Sequence, residues 1–304
     1  MTHATPNAPL RLPPELRRSL GKSQQVHPMQ QLLREHNLHT VCEEARCPNR
    51  AECFSHGTAT FMIGGDRCTR SCRFCSVTTA RPLALDPGEP EHVARAVVTL
   101  GLSHVVITSV DRDDLPDGGA AHWAAVITAV RRAAPAATVE VLTPDFKGNR
   151  AHLDLVLASG PHVFSHNTET VPRLYRSLRP QSHFETTLGV LRNARGFGGK
   201  LKSGIMVGLG ETDDEVMALL ETWAALPLDI ATVGQYLRPS MEHWPVDRYV
   251  AQPSFDAFKA RGEALGIGVV FSGAMVRSSY HAGETFLELG QRPAARPNPL
   301  AVLP

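Results

Sequence analysis

The chain has 304 residues, enough to bury a sizeable core as one large α/β domain or two smaller ones. With 42% hydrophobic residues, 20% charged residues and a formal net charge of +1, it lacks the basic excess of a general nucleic-acid binder. No run approaches the roughly 18 apolar residues of a membrane span and the N-terminus lacks the apolar core of a secretory signal, so the cytoplasm is expected.

Residues 1 to about 40 are polar and Pro-containing, and read as an arm with one helical stretch near Met29–Glu35. The cysteine region follows: all six cysteines lie in two triplets, Cys42-x4-Cys47-x5-Cys53 and Cys68-x3-Cys72-x2-Cys75. Between the triplets the apolar run Thr60–Ile63 fits a first strand. After Ala80 a regular alternation begins. β-rich runs are expected at His104–Ser109, Thr138–Leu142, His162–Ser165, Ser203–Val207, Ile230–Val233 and Ile267–Phe271. Helical spacing fills Glu91–Leu100, Ala120–Ala133, Thr186–Arg195, Asp213–Ala225 and Ser254–Leu265. Such alternation implies a parallel sheet with helical crossovers. Polar residues and glycines follow several strands in turn, and in a β/α barrel those ends share one face; a full or partial barrel therefore fits better than an open doubly wound sheet. The Pro-rich tail from Arg292 reads as disordered.

Cysteines confined to one stretch of a long chain argue against a secreted disulfide scaffold. Three thiolates within eight residues, Cys68 to Cys75, suit one face of a 4Fe–4S cube whose fourth iron stays open. Structural zinc wants four closed ligands, commonly two C-x2-C pairs, and fits this spacing poorly.

The second triplet, with Phe74 before its last cysteine, resembles the signature of the radical S-adenosylmethionine superfamily. The first, Val41-Cys42-Glu-Glu-Ala-Arg-Cys47-Pro-Asn-Arg-Ala-Glu-Cys53, resembles the auxiliary-cluster motif of the lipoyl synthase family. Further blocks carry the likeness to Ala282: Gly57-Thr-Ala-Thr-Phe-Met-Ile63, Val106-Ile-Thr-Ser-Val-Asp-Arg-Asp-Asp-Leu-Pro-Asp-Gly-Gly119, Glu140-Val-Leu-Thr-Pro-Asp-Phe146, Glu169-Thr-Val-Pro-Arg173, Lys202-Ser-Gly204, Met206-Val-Gly-Leu-Gly-Glu-Thr212, Gly234-Gln-Tyr-Leu-Arg-Pro-Ser240 and Val276-Arg-Ser-Ser-Tyr-His-Ala282. Gly64-Gly65 and Thr168 depart from the usual pattern.

The resemblance implies a partial (β/α)6-type barrel over residues 57–272, an N-terminal cysteine-rich extension over 1–56 and a C-terminal arm over 273–304. It implies two 4Fe–4S clusters and S-adenosyl-L-methionine: one cluster on Cys68, Cys72 and Cys75, and an auxiliary one on Cys42, Cys47, Cys53 and Ser279, with Ser278 the alternative fourth ligand. Without the resemblance, Ser278-Ser279 would read as a loop or helix cap. The implied reaction inserts sulfur at carbons 6 and 8 of a protein-bound octanoyl-lysine, the auxiliary cluster giving up its sulfide. Implied partners are octanoylated lipoyl carrier domains of 2-oxoacid dehydrogenase complexes or the glycine cleavage H protein, and a reductant such as flavodoxin or ferredoxin, with neither nucleic acid nor membrane. Two alternatives are a radical enzyme whose second cluster only transfers electrons, and a zinc-stabilised binding module.

Expected cofactor contacts are Phe74, Ser109, Asp111, Asn167, Glu169 and Gly208, with His166 beside them. A lone His or Asn there equally satisfies loop backbone. Asp111, Asp113, Asp114 and Asp117 read as a structured loop at the barrel mouth rather than a calcium site. Gly208-Leu-Gly210 lacks the third glycine of a dinucleotide fingerprint and reads as an approach for the methionine or ribose. Arg67, Arg70 and Arg73 flank the second triplet, either offsetting charge, receiving an acidic partner or lying in solvent. Trp123, Trp223 and Trp244 read as core or interface fillers.

Overall fold

The computed structural model describes residues 10–16, 30, 31, 33, 38–44, 47, 49, 53, 60–279, 282–284 and 286. Most of the Met29–Glu35 stretch and the tail from Arg292 lie outside them. In chain order the elements are β1 (His39–Thr40), α1 (Val41–Glu44), β2 (Thr60–Ile63), β3 (Arg67–Cys68), β4 (Thr78–Thr79), α2 (Glu89–Thr99), β5 (His104–Ser109) and α3 (Ala120–Ala133). There follow β6 (Thr138–Leu142), α4 (Arg150–Ala158), β7 (Val163–Ser165), α5 (Tyr175–Leu178), α6 (Phe184–Ala194), β8 (Lys200–Val207), α7 (Asp213–Ala225), β9 (Ile230–Gln235), α8 (Gln252–Ala264) and β10 (Val269–Gly273).

The main sheet runs β1-β2-β5-β6-β7-β8-β9-β10. All neighbours are parallel except β1, which pairs antiparallel with β2 through His39↔Met62 and Thr40↔Phe61. Strand order follows chain order with a helix in each crossover, as in a β/α barrel. The terminal strands β1 and β10 do not pair with each other, so the barrel is partial. β2 and β9 are buried along their whole length, as expected of parallel strands covered on both faces. Trp123, Trp223, Phe61, Phe164, Phe255 and Phe258 fill the core, whereas Trp244 packs half-exposed against it.

The expected α3, α7, β2, β5 and β6 coincide with the observed spans. α7 begins with a capping box, Thr212 and Glu215 satisfying each other's backbone N–H. α4 was not among the expected helices. It is nine residues long, yet Asn149 caps it by accepting from the Ala151 and His152 N–H groups, and Leu153, Val156 and Leu157 form its buried stripe. β10 starts later than expected because Ile267 belongs to the end of α8. Its N–H reaches the Gly262 carbonyl at 3.1 Å and that of Gly266 reaches Glu263 at 3.1 Å, the two bonds of a Schellman motif.

Candidate cluster and cofactor site

A cavity of about 330 Å³ lies at the C-terminal ends of the strands. Its wall includes Cys68, Cys72 and Cys75, and also Cys47 and Ser279 from opposite ends of the chain. Cys42 and Cys53 lie outside that wall. None of the six cysteines is in a disulfide.

The loop carrying the second triplet is closed by β3 pairing with β4 (Arg67↔Thr78, Cys68↔Thr79) and by the Ala80 N–H on the Cys68 carbonyl at 3.2 Å. Arg70 anchors it. The side chain is 3% exposed, and its guanidinium donates to Asp145 (2.7 Å to each oxygen), Asp113 (2.7 and 3.0 Å) and Ser182 (3.1 Å), with Asp111 3.4 Å away. Those acids arrive on the loops after β5 and β6, so one buried cation ties the cluster loop to two strand ends. Burial works upward on Asp145, but the Arg70 hydrogen bonds outweigh it and hold the carboxyl at about 2. Of the other acids in that run, Asp114 pairs with Arg112 and Asp117 accepts from the Gly119 and Ala121 N–H groups at the start of α3. The acidic run is therefore a set of loop anchors.

The Cys68 sulfur accepts from the Asp111 N–H at 3.3 Å and the Arg70 N–H at 3.4 Å, the kind of bond that tunes cluster potentials. Burial pushes the Cys42 and Cys68 thiols up to about 11 and Cys75 to about 12, and it raises Cys72 against the pull of Arg179. Such thiols stay neutral unless a cationic centre draws out the thiolates. Among the described residues no three His, Cys, Asp or Glu side chains are arranged for a single metal ion. A cubane spreads its thiolates over a larger body than one tetrahedral zinc does. The donor set suits a cluster better than zinc.

Beside the cysteines the cavity is polar on one flank. Arg179, 8% exposed, donates to the Tyr175 hydroxyl at 2.8 Å and stacks on that ring at 5.2 Å; its Nε has no hydrogen-bond partner. Glu169 stands in the left-handed region (φ 65°), held there by hydrogen bonds of 3.0 Å from its N–H to Gly204 and from Met206 to its carbonyl. Burial pushes its carboxyl up while Arg179 opposes. Asn167 presents a buried Oδ1 without a partner to the same cavity. The unpartnered Arg179 Nε and Asn167 Oδ1, with the Glu169 carboxyl beside them, form a cradle for a ligand with both charges.

His166 is drawn down to about 4 by burial and is neutral near pH 7, donating from Nδ1 to the Thr143 carbonyl at 2.8 Å. Ser109 and Asp111 line the cavity, but the Ser109 hydroxyl donates to the Val110 carbonyl at 2.8 Å and accepts from Trp123 at 3.2 Å. Phe74 is in the wall as well, and Gly208 lies outside it, against Gln235 and Arg248. Arg179 was absent from the expected contacts. Its signal was faint: an arginine just before Pro180, with nothing local to say that its side chain turns inward.

The N-terminal segment is anchored from both sides. The Ser76 hydroxyl donates to the Glu44 carbonyl at 3.0 Å, and Asn49, between Cys47 and Cys53, donates to the Met275 carbonyl at 2.8 Å. Gly234 on β9 admits the C-terminal arm, since a Cβ there would lie 2.1 Å from the Val276 carbonyl oxygen. Arg277 of the arm lines the same cavity as Cys47.

A parallel partial barrel with a three-cysteine loop after its first strand defines the radical S-adenosylmethionine class, and the family model of the Radical SAM superfamily matches residues 62–222. Residues 3–47 match the N-terminal domain of lipoyl synthase. The chain is 52% identical over 277 residues to the lipoyl synthase of Nitratidesulfovibrio vulgaris strain DP4, covering 91% of this chain and 93% of that one. It is 52% identical over 289 residues to that of Methylococcus capsulatus strain Bath, covering 94% and 90%. It belongs to the lipoyl synthase family. Among solved structures, methylornithine synthase (PylB) shares the fold alone, with a TM-score of 0.54 and 15% identity over 91% of this chain and 95% of that one.

Proposed function

We propose that this chain inserts sulfur at carbons 6 and 8 of an octanoyl group carried on a lysine of a protein substrate, giving the lipoyl cofactor. The observation that supports the reading is one cavity walled by the whole second triplet, by Cys47 of the first and by Ser279. Cys68, Cys72 and Cys75 would hold the barrel cluster; Cys42, Cys47, Cys53 and Ser279 would hold the auxiliary one. When bound, these groups with S-adenosylmethionine supply a hydrogen-abstracting radical and the sulfur, chemistry that side-chain acids and bases cannot perform on unactivated C–H bonds.

The residues of the chain bind and orient. The buried Arg179 guanidinium suits a carboxylate, and Glu169 with the Asn167 amide oxygen suits an ammonium, the two ends of an amino acid such as the methionine part of the cofactor. Met62, Ile205, Met206 and Val276 make the cavity's apolar flank, which would take a hydrocarbon chain and exclude water. The protein substrate is read as a lipoyl carrier domain of a 2-oxoacid dehydrogenase complex or the glycine cleavage H protein, and the electron source as a flavodoxin or ferredoxin. No helix among the described residues is long and apolar enough to cross a membrane; a cytoplasmic site is part of the proposal.

The test is anaerobic incubation with an octanoylated carrier peptide, S-adenosylmethionine and a reductant. A gain of two sulfur atoms on the peptide, matched by loss of sulfide from the protein, is expected. Deoxyadenosine without that gain would overturn the substrate, and an intact sulfide content after turnover would favour a second cluster that only transfers electrons.

A further inference from the structure

Two layers beneath the cavity the barrel encloses a set of charges that the chemistry above does not use. Thr108, Leu142 and Gly204 line the cavity, and strand side chains alternate in facing, so Glu140 and Lys202, two positions earlier on β6 and β8, and His104, four earlier on β5, face the same interior. Lys202 is 1% exposed and its Nζ donates to Glu140 Oε1 at 2.7 Å. The other oxygen of Glu140 stands 3.3 Å from Nε2 of His104. Lys202 thus holds Glu140, and Glu140 faces His104.

The opposite side of His104 is covered by the C-terminal arm. The Phe286 ring lies 6.1 Å from the His104 ring, tilted by 51°, and Gly283 comes so close that a Cβ would lie 3.2 Å from the His104 Cβ. Ala282 beside it is buried. Three residues on the N-terminal side of Ala282 is Ser279, in the cavity wall. A buried ion pair rarely makes a fold more stable than an apolar filling would, so stability is a weak reason for its presence. Fixing one alternative among several is a better-supported use of such groups.

We infer that Lys202, Glu140 and His104 are positioning residues: a latch on the barrel's inner face that docks Ala282, Gly283 and Phe286 and so sets where Ser279 enters the cavity. The consequence for sulfur donation rests on the reading of Ser279 as an auxiliary-cluster ligand; the docking of the arm does not. His104→Ala removes the surface that the arm covers and leaves the Lys202–Glu140 pair intact. The double variant Glu140→Leu with Lys202→Met replaces that pair by apolar groups of similar size, leaving the ring in place but unheld.

The first measurement is amide hydrogen exchange on the full-length chain without clusters. Both variants are expected to speed exchange in a peptide over residues 276–284 by about tenfold or more, the scale of one lost buried contact, with β6 and β8 unchanged. The second uses the loaded protein and follows iron loss to a chelator, in a Cys68→Ala, Cys72→Ala, Cys75→Ala background so that only the auxiliary site is read. Iron loss is expected to be faster with His104→Ala, by a factor like that for Ser279→Ala. Unchanged exchange in the arm overturns the latch. Faster exchange throughout the barrel also overturns it, since the three residues would then be ordinary core. If the arm loosens as expected but neither His104→Ala nor Ser279→Ala alters iron loss, the latch stands and the ligand reading of Ser279 fails.

Discussion

Arg70 sits between Cys68 and Cys72, and from the sequence it is one of three arginines that flank them. Folding sorts the three: Arg73 is exposed and stacks on Trp244 at 5.8 Å, Arg67 is half-exposed, and Arg70 is buried among carboxylates. Removing the guanidinium would leave the buried Asp145 without its cation, a cost of about 3–5 kcal/mol when one partner of a buried pair is lost. Arg70→Met is therefore expected to lower the urea midpoint of the cluster-free chain and to lower iron binding at the second triplet more than at the first. The same pair predicts an acid response. Asp145 is held at about 2 against an ordinary value of 3.8, so its contribution is full above about pH 4 and is lost as pH falls toward 2. Its size is about 2 kcal/mol. Asp145→Asn should flatten the stability–pH curve of the cluster-free chain in that window while leaving the region near pH 7 parallel to wild type. Arg179 makes the companion prediction for binding. Arg179→Ala should weaken S-adenosylmethionine binding by roughly 10–100-fold, as one charge-assisted bond is worth, and Arg179→Lys should recover part of it, keeping the charge but not the fork.

Among the elements, the C-terminal arm depends on β9. Gly234→Ala would set a methyl group 2.1 Å from the Val276 carbonyl oxygen, so the arm or the strand must yield. The expected cost is about 1–3 kcal/mol of overpacking. The expected result is continued formation of deoxyadenosine with reduced sulfur insertion, read by mass spectrometry of the peptide. The elements differ in how much of them the sequence displayed. α3 and α7 were legible in full because each repeats its apolar stripe over more than three turns. α4 has one short stripe and its start rests on a cap, which the period of the apolar residues does not reveal. Ile267 reads as strand by its branching, yet the helix-ending motif of α8 claims it. In the site, the cysteines are legible because ligand spacing is local. Arg70 is not, because the three acids that bury it lie 41 to 75 residues away on other loops. Asn49 is less so, since its partner Met275 is 226 residues distant.

On the scale of the whole molecule, the two triplets differ in what closes them. The second is a single loop between the paired strands β3 and β4, anchored to the loops after β5 and β6 by the buried Arg70. The first is built from an N-terminal segment held to the barrel by β1 and Ser76 and to the arm by Asn49, with Ser279 arriving from the far end. An assembly drawn from both termini can come apart without unfolding the barrel, which suits a site that must surrender sulfur. With Ser279 as the proposed fourth ligand, its oxygen would be a harder, poorer partner for iron than a thiolate, and that bond would be the natural place for release. Ser279→Cys would replace that bond by a fourth soft ligand. The variant is expected to retain its iron on exposure to a chelator longer than wild type, to form deoxyadenosine at a similar rate and to lose most sulfur insertion. Anaerobic iron release, deoxyadenosine yield and peptide mass, measured on one preparation, check the three together. Full sulfur insertion by Ser279→Cys would mean that release does not depend on the oxygen ligand, and the asymmetry between the triplets would then have another purpose.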